Sequence, residues 1–152
     1  MMGMTRNLLT LALLAATAAC DGAPTASSAL ASPTDGASLA QSRSRLSFSY
    51  TQSGSDETPQ TATGGTGRID FTGSLLTGTP CYDLSATHGA QGSSITVTVT
   101  AASTGGFCAQ ILTNNNYQGS VTALAAGTYT FTVVEVVNGQ QTTAYTGPVV
   151  VG

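Results

Sequence analysis

From Arg45 to the C-terminus, apolar residues fall at every second position. Leu46, Phe48 and Tyr50 alternate with Ser47, Ser49 and Thr51. Ile69 and Phe71 flank Asp70; Ile95, Val97 and Val99 alternate with Thr96, Thr98 and Thr100; Tyr129, Phe131 and Val133 alternate with Thr128, Thr130 and Thr132. Successive side chains of an extended chain point to opposite faces, so each run describes a strand with one buried and one wet face. Threonine suits the wet face because its branched Cβ favours an extended backbone. The pattern predicts strands near 45–52, 67–73, 80–87, 93–102, 106–113, 117–123, 127–137 and 142–151. Turn residues separate them: Gly64-Gly65, Gly78-Thr79-Pro80, Gly89 to Gly92, Gly105-Gly106, Asn114 to Asn116, Gly127 and Asn138-Gly139. Asn-Gly between two apolar runs predicts a hairpin, because both residues accept a positive φ.

Seven or eight short strands with regular turns form the pattern of an all-β, immunoglobulin-like antiparallel β-sandwich over 45–152. A closed up-and-down barrel is the rival, although eight strands around a cavity need longer strands. The segment Leu124-Ala-Ala-Gly127-Thr-Tyr129-Thr-Phe131-Thr-Val133 resembles the L-x-x-G-x-Y-x-x-x-V stretch near the end of many bacterial immunoglobulin-like domains. The resemblance implies that Leu124 and Tyr129 plug one end of the core while Gly127 turns the chain, and it implies no activity. The domain also resembles uncharacterised bacterial lipoproteins with a T-P-C-Y segment, here Thr79 to Tyr82, and one later cysteine.

The N-terminus reads as an address. Arg6 precedes an apolar run from Leu8 to Ala16, too short to span a bilayer but of the length of a signal-peptide core. Thr17-Ala18-Ala19-Cys20 resembles the lipobox of bacterial lipoproteins, with Thr17 where that family usually has Leu. The resemblance implies cleavage after residue 19 and a lipid on Cys20. Residues 1–19 would then be signal peptide, and the protein exported to the cell envelope and held on a membrane through Cys20. The competing reading is an ordinary secretory signal cut after Ala16-Thr17-Ala18. Residues 20–44, rich in Ala, Ser, Thr and Pro, predict a flexible tether with a span of roughly 25–30 Å. A weak helix through Ala37 to Gln41 is the alternative there.

Three cysteines leave one over after pairing. Lipidation of Cys20 would use it, and Cys81 and Cys108 would pair in an oxidising compartment. Two buried free thiols are the other reading. Strand parity puts Tyr82, Leu84 and Ala86 on the buried face of one strand and Phe107, Ala109 and Ile111 on that of another. Both cysteines then fall on the opposite faces, outside the core.

Little in the chain points to chemistry. Charged residues make up 7% of it, there is no lysine, and the four cations are Arg6, Arg43, Arg45 and Arg68, so no basic patch forms for nucleic acid. Without Arg6, three arginines face seven acids, a net charge of −4. His88 is the single histidine, and Asp83 lies five residues before it. Together with a serine they are the one combination open to a small hydrolase. One histidine and two paired cysteines cannot make a zinc site, so no metal or cofactor is expected. Asp56-Glu57 is the sole adjacent acidic pair but lacks calcium-loop spacing. Glycoside hydrolysis needs two facing carboxylates; Asp70 and Asp83 could lie on neighbouring strands, but both fit a wet face equally well. Tyr117, after three asparagines, is the best candidate for an exposed aromatic contact with a glycan. The expectation is a monomeric, non-catalytic module that meets a protein or glycan through its loops, above all the long one from Gln52 to Gly67. A loop-presenting protease inhibitor is a minor variant of that reading.

Overall fold

The computed structural model describes Ser44–Gly152; the expected signal peptide, the lipidated Cys20 and the tether to residue 43 lie outside the described residues. Eight strands follow: β1 (Arg45–Ser53), β2 (Thr61–Gly65), β3 (Arg68–Thr77), β4 (Tyr82–Gln91), β5 (Ser94–Ser103), β6 (Thr113–Thr122), β7 (Gly127–Val137) and β8 (Gln140–Val151). They form two four-stranded sheets in the orders β1-β6-β3-β2 and β4-β5-β7-β8. The chain is thus an all-β sandwich, as the alternation predicts.

Between the sheets lies one core. Ile69, Phe71 and Leu75 of β3 and Tyr117 and Val121 of β6 face Ile95, Val97 and Val99 of β5 and Phe131 and Val133 of β7. These are the apolar members of each alternating run, and their Thr and Ser neighbours point outward. Phe71 and Phe131 meet across the sandwich at 5.6 Å between ring centroids. Near the C-terminus Leu124 and Tyr129 pack on the core, and the Tyr129 hydroxyl donates to the Ala125 carbonyl at 2.9 Å. That is the tyrosine corner of immunoglobulin-type sandwiches, in the segment whose resemblance implied a plugged end.

Pairing departs from the wholly antiparallel expectation in one place: β5 and β7 run parallel, with Val97 opposite Val133. After β5 the chain crosses to the other sheet, runs back as β6, and crosses again. One interposed strand returns β7 in the direction of β5.

Three further expectations are corrected. The segment 106–113 is not a strand. It belongs to the connection 104–112, which must bridge the roughly 10 Å between sheets, and Gly105 and Gly106 turn it outward with φ of 74° and 86°. Phe107, Ala109 and Ile111 are consequently exposed rather than buried. The stretch Asn114 to Asn116 is not a turn but lies within β6, between β1 and β3. Asn115 is fully buried there because its amide donates to the Leu75 carbonyl (3.0 Å), Thr77 Oγ1 (3.0 Å) and the Thr113 carbonyl (3.3 Å), while its oxygen accepts from Gln52. Lastly, the long loop from Gln52 to Gly67 contains β2, which hairpins onto β3 through Thr66-Gly67 with Gly65 opposite Arg68. The expected Asn138-Gly139 hairpin is present, with φ of 52° and 79°.

Registers sort the connections. The links 54–60, 78–81, 104–112 and 138–139 all lie at the end where β1 finishes, hereafter the loop end. The opposite, entry end holds Arg45, where the chain enters β1, together with the tight turns 66–67 and 92–93 and the C-terminus.

Candidate functional site

His88 and Asp83 do not come together. Both lie on β4, but five positions apart on an extended strand means about 16 Å and opposite faces. His88 Nε2 lies 2.9 Å from Ser44 Oγ, and Asp83 accepts from the Tyr50 hydroxyl at 3.0 Å. Among the described residues no carboxylate is bonded to the imidazole, so there the Ser44–His88 pair lacks the third member of a triad. Asp70 and Asp83 sit in different sheets, on β3 and β4. Asp70 is held by Arg68 at 2.9 Å and by the Ser120 hydroxyl at 2.7 Å. Among the described residues no three His, Cys, Asp or Glu side chains gather to hold a metal. Two shallow depressions, of about 170 and 580 Å³, mark the outer face of the first sheet. Their walls combine hydroxyls and amides such as Ser49, Thr72 and Gln118 with apolar carbon, and the larger one includes the Ser120–Asp70 hydrogen bond, whose carboxylate Arg68 also holds.

Tyr117, expected at the surface, is 2% exposed. Strand parity inside β6 turns its ring inward, against Phe48 and Phe71 at 6.0 and 6.4 Å. Its hydroxyl ends in a polar cluster at the loop end. It donates to Glu135 Oε1 at 2.7 Å and lies 2.9 Å from Gln60 Oε1, and the Gln60 amide donates to Glu135 Oε1 at 2.8 Å. Glu135 occupies an inward position of β7, so the cluster pins one sheet to the other. Gly73 of β3 makes room for it: a Cβ there would run into the Tyr117 ring at 2.5 Å. Gly73→Ala is therefore expected to cost about 1–3 kcal/mol, read from the midpoint of urea unfolding.

Burial, and after it the hydrogen bond to Glu135, pushes the Tyr117 phenol well above the ordinary tyrosine value. The sign follows directly. Below about pH 10 the phenol keeps its proton folded or unfolded, and its contribution is constant. Above about pH 10 the unfolded chain loses that proton while the folded chain holds it, so stability falls by about 1.4 kcal/mol per pH unit from this group. In denaturant titrations, the stability difference between wild type and Tyr117→Phe should be constant from pH 7 to 9 and smaller by about 1.4 kcal/mol at pH 11. A difference unchanged at pH 11 would contradict the burial of the phenol.

The exposed apolar residues identify a surface. Of the exposed large apolar residues, Leu76, Phe107, Ile111 and Leu112 lie at the loop end and Val150 alone at the entry end. Phe107 extends fully into solvent beside Cys108. Cys108 is bonded to Cys81, 6.1 Å away between Cα atoms, and the Thr104 amide donates to the Cys81 carbonyl at 3.1 Å. The connection 104–112 is thus tied at its base and at its middle to the start of β4, while its apolar side chains remain uncovered. Large exposed apolar side chains gathered in one place are costly in water and mark contact surfaces. Alternation assigned Phe107 and Ile111 to the core. The available contrary signal was the Gly105-Gly106 pair followed at once by a cysteine needing a partner in another strand.

Charge is unevenly distributed along the same axis, and the acid of the entry half, Asp70, is paired with Arg68. Asp56 and Glu57 are exposed on the 54–60 link, and Asp83 opens β4, all at the loop end. Arg45 and Arg68 both stand opposite Thr122 at the entry end. They are the only cations among the described residues.

No curated protein and no solved structure matches the chain. A family model does. Residues 72–147, half of the chain, match the ORF11 beta-sandwich domain. The match runs from within β3 to within β8 and includes both bonded cysteines, the connection between them and the tyrosine corner. The description of that family agrees with the two-sheet architecture, and the chain belongs to the ORF11 beta-sandwich domain family.

Proposed function

We propose that this is a lipid-anchored protein of the bacterial cell envelope whose sandwich is a non-catalytic module that presents its loop end as a contact surface. The observation carrying the contact role is the 104–112 connection, where a disulfide holds Phe107, Ile111 and Leu112 in water instead of letting them fold onto the core. The anchor rests on the N-terminal sequence: a charged start, a short apolar run and Thr17-Ala18-Ala19-Cys20. Two or more acyl chains on Cys20 would give stable attachment. His88 and Asp83, the pair a small hydrolase would use, have separate partners in Ser44 and Tyr50.

Two measurements test the two halves. Mass spectrometry of the mature protein from membranes should find an acylated Cys20 as first residue; an unmodified chain beginning at Ala19 would remove the anchor. Hydroxyl-radical footprinting of Phe107, Ile111 and Leu112 should show severalfold slower oxidation in native envelopes than in purified protein. Equal rates in both would remove the contact role.

A further inference from the structure

The loop end couples an apolar tip to a surround of one charge sign. Phe107, Ile111, Leu112 and Leu76 share the loop end with the exposed acids Asp56, Glu57 and Asp83, while the two described arginines stand at the far end, where Arg68 pairs with Asp70. We infer that the loop end receives a protein whose docking site is an apolar pocket bordered by lysine or arginine side chains. This rests on the reading of the loop end as a contact surface and names the chemistry of what it contacts.

Shape comes first. Phe107 is a fully exposed ring on a short segment, tied down at the next residue by Cys108. A ring carried on a braced loop loses little conformational freedom on entering a pocket, which makes it an efficient anchor. Phe107 is preceded by Gly105 and Gly106, whose positive φ values lift it clear of β5. Charge comes second. Acids around an apolar contact favour a cationic rim on the partner and speed encounter with it. The same acids oppose the two other occupants of an apolar tip. Anionic phospholipid headgroups repel them. A second copy docking by the same surface would bring acids against acids.

The test places a photoreactive benzoylphenylalanine at position 107 of the full chain, expressed in cells and irradiated. The side chain at that position touches solvent alone, so the fold is retained and a thermal melt checks it. One dominant adduct is expected, to a different protein, with the cross-linked peptide apolar and carrying Lys or Arg within a few residues. Asp56→Asn with Glu57→Gln should lower adduct yield in isolated envelopes by about fivefold at low salt. Raising salt should lower the wild-type yield similarly while barely affecting the double variant. A probe at Val150, exposed at the entry end, should not give this adduct. The inference is overturned by an adduct to phospholipid, to a second copy, or to a peptide without cations, by no adduct, or by a yield indifferent to both the acids and salt. In a separate arm, unacylated chain is mixed with vesicles of phosphatidylcholine alone or with a quarter phosphatidylglycerol. It should stay in solution, and sedimentation that depends on Phe107 would replace the protein partner with a lipid surface. Protection in the envelope footprint with any of these failures would leave the contact role standing and remove only the cationic partner.

Discussion

Phe131→Ala is expected to lower the unfolding free energy by about 3–5 kcal/mol, the largest effect of any single truncation proposed for this domain. The ring is wholly buried in β7, a central strand, and packs against both sheets of the sandwich. It meets Phe71 of the opposite sheet at 5.6 Å and Tyr145 of β8 at 6.3 Å. Deleting it removes apolar area from the core and leaves a void that the neighbours cannot close. Phe71 is fixed by Tyr117, and Tyr145 sits close to the bulge between Val133 and Val134. A small domain is stable by only about 5–15 kcal/mol, so much of the population would unfold at moderate temperature. Urea unfolding checks this, and a loss under 1 kcal/mol would mean that the two sheets do not pack through these rings.

Replacing both bonded cysteines, Cys81→Ser with Cys108→Ser, should cost about 3.5 kcal/mol, because the bridge closes a loop of about 28 residues and removes that freedom from the unfolded chain. The expected result has a second part that the loss of Phe131 lacks. The bridge also fixes the 104–112 connection, whose described backbone bonds outside strands are few: Thr104 to Cys81 and Ile111 to Ala109. In the double variant, limited proteolysis should cut first within 104–112, while in Phe131→Ala cleavage should follow global unfolding. Wild-type cleavage in that connection at the same rate as the variant would show that the bridge does not order it.

The alternating pattern made seven of the eight strands legible, with errors of up to four residues at their ends, because a half-buried strand must place its apolar residues at period two. It failed where periodicity and function diverge. Phe107, Ala109 and Ile111 keep the spacing of a strand, yet the chain there is crossing between sheets and has no neighbour to pair with. Thr61 to Gly65 carries almost no apolar signal, but it forms β2 because Thr66-Gly67 turns it onto β3 and because Gly64 can approach the backbone of β8 closely, with Val149 Cγ1 only 3.1 Å from where a Cβ would stand. Asn114 to Asn116 carried a turn composition that tertiary hydrogen bonds overrode. The buried Tyr117 followed from that same error, since its exposure was inferred from the asparagines before it.

Local chemistry along the chain determined that this protein is a β-sandwich with a hairpin at Asn138-Gly139, because strand alternation and turn geometry depend on neighbours in sequence. Which strands share a sheet, that β5 and β7 run parallel, that His88 and Asp83 diverge, and that Phe107 is held out in water with acids around it were decided by the tertiary structure alone. These depend on pairings between residues tens of positions apart, and no period read along the chain carries information about which partner a strand edge will meet.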